Sequence, residues 1–83
     1  MKSVAIRKRV AVDTLPFSLL TEQYKLTHRE VDVAKLLVLG KSDKMIKRDM
    51  GISIYTVREH LRHIRAKMGV CSRLEIVSLL INI

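Results

Sequence analysis

The sequence predicts an all-α domain: four short helices that include a helix-turn-helix, preceded by a short N-terminal arm or an extra helix. Three observations point there. From Ser53 to Met68, Val57, Leu61, Ile64 and Met68 recur at i, i+4, i+7 and i+11, which gives a helix one buried stripe. Thr27-His28-Arg29-Glu30 and Ser72-Arg73-Leu74-Glu75 both have capping-box spacing, in which two side chains satisfy orphan backbone N–H groups at a helix start. Gly40, Gly51 and Gly69 fall where these helices must stop and the chain must turn.

In chain order, Met1 to Val12 alternates weakly through Val4, Ile6, Val10 and Val12, as a short strand or an extended basic arm would. Asp13, Thr14 and Pro16 break that pattern, and Phe17, Leu20 and Tyr24 at i, i+3 and i+7 predict a short helix over 17–23. Residues 1–25 are therefore an arm or linker, and 26–83 the domain. A helix over 28–39 buries Val31, Ala34, Leu37 and Val38. Ser42 caps the next, over 43–49, with Ile46 and Met50 inward and Lys44, Lys47 and Arg48 outside. Met50-Gly51-Ile52 turns the chain before Ser53 caps the helix that runs to Met68. Two short helices joined by a brief glycine turn, the second of them basic, make a helix-turn-helix.

The last helix, over 73–82, carries more apolar surface than one core requires. Leu74, Val77 and Ile81 lie on one side, while Ile76, Leu79, Leu80 and Ile83 widen the apolar arc to roughly 220°, about twice a single-core stripe. The surplus predicts a homodimer interface through Ile76, Leu79, Leu80 and Ile83. The competing expectation is that Phe17, Leu20 and Tyr24 cover it within one chain.

Eighty-three residues bound the chain to one domain with a modest core. Sixteen Lys and Arg against eight Asp and Glu give +8, a balance suited to a polyanionic partner. Five basic and two acidic residues fall in 1–25, so both parts of the chain are positive. A lone Cys71 forms no internal disulfide and fits a reducing cytoplasm. No apolar run approaches the ~20 residues that cross a bilayer, and the start lacks a signal-peptide layout, so a cytoplasmic protein without a membrane partner is expected. One Phe, two Tyr and no Trp leave few platforms for unstacked bases, which favours duplex DNA over single strands.

At about 100° per residue, Arg58 and Arg62 lie opposite the buried stripe of the 53–68 helix, with Tyr55, Glu59 and Ala66. Arg65 flanks one edge, and Thr56, His63 and Lys67 the other. Long guanidinium groups reach guanine edges in a major groove and flanking donors reach phosphates, so Tyr55, Thr56, His63, Arg65 and Lys67 are candidate backbone contacts. Glu59 either accepts from cytosine N4 or pairs with Arg62 or His63 along the helix. A solvated basic surface is the bland alternative.

Other chemistries fare worse. His60 and His63 at i, i+3 with Cys71 offer three zinc ligands that share no face with a fourth, so no metal and no cofactor are expected. Ser, His and Asp occur without a nucleophile elbow, a phosphate-cradling glycine loop or an HExxH pattern, so an enzyme is not expected. A protein-interaction module that binds another regulator or RNA polymerase is the alternative class. Arg58, Arg62, Arg65 and Lys67 suit a dry protein interface poorly and phosphate and guanine well.

Leu26-Thr27-His28-Arg29-Glu30, Gly40-Lys41-Ser42-Asp43-Lys44, Ile52 to Leu61 (ISIYTVREHL) and Lys67 to Glu75 (KMGVCSRLE) together resemble the LuxR-type (GerE- or FixJ-type) DNA-binding domain of bacterial transcription regulators. The resemblance covers nearly all of Leu26 to Val77 without an insertion. It implies a four-helix domain that binds promoter DNA, usually as a dimer, with the third helix in the major groove. By position it implies base contacts from Arg58, Glu59 and Arg62, and backbone contacts from Ser42, Lys44, Ser53, Thr56 and Lys67. Asp43, Met45 and Lys47 depart from the Asn, Glu and Ala that the family prefers, and Asp43 is expected to repel a phosphate there. Ala34 stands where a larger aliphatic residue is usual. No receiver or ligand-sensing domain precedes Leu26, which implies a stand-alone regulator or a fragment.

Overall fold

Five helices follow one another in the computed structural model, which describes residues 17–81: α1 (Phe17–Tyr24), α2 (His28–Val38), α3 (Asp43–Met50), α4 (Ile54–Met68) and α5 (Arg73–Ile81). No strand occurs among the described residues. The strand or arm expected over 1–12 and the contact expected of Ile83 lie outside them, as do the side chains of Phe17 and Leu20.

Local chemistry sets the helix boundaries. Thr27 Oγ1 accepts from Glu30 N–H at 3.2 Å while Glu30 Oε1 accepts from Thr27 N–H at 2.9 Å, the reciprocal box expected at the start of α2. Ser72 and Glu75 do the same for α5 at 3.2 and 3.3 Å, and Glu75 also takes the Cys71 N–H at 2.7 Å. Ser53 Oγ accepts from Thr56 N–H at 3.1 Å, a cap that typically contributes about 1 kcal/mol. The turn between α3 and α4 depends on Gly51, whose φ of +65° lets Ile52 N–H reach back to Lys47 O at 3.2 Å. An L side chain there would be strained by about 1–2 kcal/mol.

The longest helix, α4, packs against α2, α3 and α5, and α2 also packs against α5. Val57, Leu61, Ile64 and Met68 all point into the core, as the spacing predicts, beside Leu26, Val33, Ala34, Leu37, Ile46, Ile76 and Leu80. Each fully buried aliphatic side chain contributes about 1.5–3 kcal/mol of transfer free energy.

Two helices are rotated relative to expectation. In α2, Ala34 and Leu37 are buried as expected, but Glu30 and Val33 join them while Val31 and Val38 are only half-buried. A glutamate is thus part of the inward face. In α5, Ile76 and Leu80 are wholly buried, which corrects their assignment to a dimer interface, while Leu74 is 74% and Ile81 50% exposed. The cause lies at the start of α5, where Arg73 hydrogen-bonds Asp43 of α3 and donates to Lys41 O at 3.1 Å. That anchor fixes the rotation of the helix, so the residues three, four and seven positions on, Ile76, Val77 and Leu80, follow Arg73 inward. Tyr24, at the end of α1, is half-buried against the same core.

Candidate nucleic-acid interface

Burying the apolar stripe of α4 leaves Tyr55, Arg58, Glu59, Arg62 and Ala66 on an exposed face, with Tyr55 76% accessible. The side chains expected to meet bases are therefore together and outward. Arg65 is half-buried at one edge. Ser53 and Thr56 stand at the N-terminus of α4 with their hydroxyl oxygens 3.0 Å apart, and Ser42 accepts from Met45 N–H at 3.3 Å at the start of α3. A serine hydroxyl that caps a helix as an acceptor keeps its proton for a further acceptor such as a phosphate oxygen. Lys44 is exposed two residues further on.

Two candidates are engaged inside the domain instead. Lys67 Nζ lies 2.6 Å from Glu30 Oε1, and His63 Nδ1 lies 3.6 Å from Glu30 Oε2, so both turn toward a carboxylate that is only 2% exposed. Burial alone would raise the Glu30 pKa. The hydrogen bonds from Lys67 and the Thr27 N–H, with the charges of Lys67 and His63, outweigh it and hold the carboxyl below its ordinary value. Glu30 thus ties the start of α2 to the last turns of α4, across 37 residues of sequence. In the free chain Lys67 and His63, both expected as phosphate contacts, thus lie against this carboxylate while their side chains stay partly accessible.

Glu59 pairs with Arg62, whose Nε donates to Glu59 Oε2 at 2.9 Å, and His63 Nε2 lies 3.2 Å from the same oxygen. The Arg62 hydrogen bond is the main reason that the Glu59 carboxyl titrates below its ordinary value. In the free chain the pairing along the helix is therefore formed. Asp43 is neutralised by Arg73, so the repulsion of phosphate expected at the start of α3 is countered by a cation that periodicity and spacing gave no reason to place there.

Beside this face the surface is concave. One groove between α3 and α4 is lined by Asp43, Lys44, Lys47, Arg48, Ile54 and Arg58. A second continues from it, sharing Asp43 and Arg58 and reaching Glu59, Arg62, Arg65 and Arg73. Among the described residues no three His, Cys, Asp or Glu side chains come together as metal ligands would.

A family model described as bacterial regulatory proteins, luxR family, matches residues 24–80. The chain is 43% identical over 53 residues to the monoamine regulon transcriptional regulator of Klebsiella aerogenes, covering 64% of this chain and 23% of that protein. It is 43% identical over 51 residues to the nitrate/nitrite response regulator protein NarL of Escherichia coli K12, covering 61% and 24%. The transcriptional regulatory protein DesR of Bacillus subtilis is 33% identical over 78 residues, covering 94% of this chain and 39% of the relative. The chain thus spans about a quarter of the length of the first two relatives. No solved structure matches it.

Proposed function

The chain belongs to the luxR family of bacterial regulatory proteins, and on that premise we propose that it is a sequence-specific duplex-DNA-binding transcription regulator that lays α4 in the major groove of promoter DNA. The observation that carries this function is the exposed Tyr55, Arg58, Glu59 and Arg62 face, held rigidly over four buried residues and led by the turn at Gly51. A helix seated that firmly keeps its long side chains in register with base edges, which specificity requires.

Arg58 and Arg62 read guanine through O6 and N7, and Glu59 accepts from cytosine N4 once Arg62 has left it. Ser42, Lys44, Ser53, Tyr55, Thr56 and Arg65 fix the register on phosphates. Lys67 and His63 join them at the edge of α4, where they also hold the helix to Glu30. The protein works in the cytoplasm, and no helix among the described residues is long and apolar enough to cross a membrane.

It acts as a homodimer joined through α5. Ile76 and Leu80 are buried in the core, so of the expected described residues Leu79, 37% exposed, remains for the joint, beside a stripe of Leu74 and Ile81, seven residues apart and within about 20° of each other around the helix. A two-fold pair presents two copies of α4 to successive turns of major groove and selects an inverted repeat. Selection from a random duplex pool tests both levels: a half-site motif is expected, in inverted repeat for the dimer. Absence of any enriched sequence would reject DNA reading in favour of a protein-interaction module.

A further inference from the structure

Among the described residues, Arg29, Lys41, Arg48, Arg62, Lys67 and Arg73 each have a carboxylate within ion-pair distance. For Arg48 the contact is marginal, 4.0 Å to an Asp49 that also serves Lys41 at 3.4 Å, and its side chain is 72% exposed. No such pairing holds Lys44, Lys47 or Arg58, and all three line the groove between α3 and α4. Asp43, the groove's only acid, is occupied by Arg73. Three cations without a carboxylate partner thus gather in one concave strip, and Arg65 lines the concavity next to it.

From this we infer that the groove is a clamp for the phosphodiester backbone of one DNA strand, with Lys47 and Arg48 as phosphate contacts alongside Lys44. The inference rests on the proposed DNA-reading function and extends it to residues outside the α4 face. Duplex DNA is the polyanion that fits, because Arg58 belongs both to the groove and to the neighbouring base-reading concavity. A strand lying in the groove borders the major groove that α4 enters. Ile54 lines the strip beside Lys44 and Lys47, and long lysine side chains can lie along apolar surface while their charged ends reach phosphate oxygens in solvent. Lys44, Lys47 and Arg48 lie at i, i+3 and i+4 on α3, one face of that helix, so they meet a backbone together.

Lys47 and Arg48 also sit in the last turn of α3, where positive charge favours the helix dipole, and that role predicts a different result. The test is a Lys47→Gln/Arg48→Gln double variant, which keeps helix propensity and an unbranched polar side chain while removing both charges. Its Kd is measured against salt concentration on the duplex selected by the wild type and on a random duplex. Each phosphate contact contributes about 0.9 to the slope of log K against log salt, so the slope should flatten by about 1.8. The fractional loss should be alike on the two duplexes, with thermal midpoint and base preference unchanged. A wild-type slope and Kd, with or without a lowered thermal midpoint, would overturn the clamp while leaving DNA reading intact. Failure of the wild type itself to select any duplex would instead remove the functional premise.

Discussion

The two halves of α4 carry similar side chains and use them differently. In the first half Tyr55 and Arg58 project beside the α3 lysines, and the Arg58 guanidinium has no carboxylate partner among the described residues. In the second half Arg62 is bound to Glu59, and His63 and Lys67 turn toward the buried Glu30. A formal count of basic residues would rank the second half as the stronger DNA surface. Such a count overrates Lys67, because a cation already neutralised by a desolvated carboxylate adds little to an approaching phosphate. Through His63 and Lys67 the second half is also the joint that aims the first.

Lys67→Ala probes that division with the largest expected effect. Removing the main partner of a buried carboxylate should cost about 3 kcal/mol of unfolding free energy, the lower end for a stranded buried charge, since His63 and the Thr27 N–H remain. Denaturant titration measures it. A loss under 1 kcal/mol would place Lys67 among the solvated cations and erase the contrast between the halves. Arg58→Ala should leave stability within about 0.5 kcal/mol yet cost about 1–3 kcal/mol on the selected duplex, relaxing preference at one base pair. Arg62→Ala should cost less than Arg58→Ala in the same binding assay, because its guanidinium must first leave Glu59. Equal losses would mean that the Glu59 pair does not restrain Arg62.

Acid sharpens the comparison further. The folded-state pKa of Glu30 lies below its ordinary value of 4.5, so its ionised form contributes stability that is complete above the unfolded pKa. That contribution is lost as pH falls through the lower folded value. The advantage of the wild type over Glu30→Gln in unfolding free energy should hold near neutrality and shrink below about pH 4.5. A pH-independent difference would show that the carboxylate acts only through its cap on Thr27. The smallest effect is expected of Glu59→Ala. Its exposed pair with Arg62 adds little to stability, while binding to random DNA should tighten and discrimination at one C·G position weaken. Tighter binding with unchanged base preference would leave Glu59 as a partner of Arg62 alone.

Much of this molecule follows from its sequence. Capping pairs and glycines place each helix end within a residue or two because those interactions join neighbours in the chain: Thr27 with Glu30, Ser72 with Glu75, Ser53 with Thr56. The stripe of α4 is legible for a related reason, since its apolar residues are separated by whole turns and no charged residue interrupts them. The composition of its exposed face follows at once, and with it the candidate base readers.

Tertiary structure decided which way α2 and α5 face and which cations stay free. In both helices a charged residue in the first turn, Glu30 or Arg73, is turned inward by a partner far along the chain, and the apolar residues three, four and seven positions later follow it. Hydrophobic periodicity places charged residues outside, so in α2 it found Ala34 and Leu37 but put Val31 and Val38 where Glu30 and Val33 are buried, and it sent Ile76 and Leu80 toward a partner chain. Burying a charge costs free energy unless a counter-charge meets it. Whether Lys67 or Asp43 stands within reach to meet it is a distance in space, fixed only when α2, α3, α4 and α5 pack together.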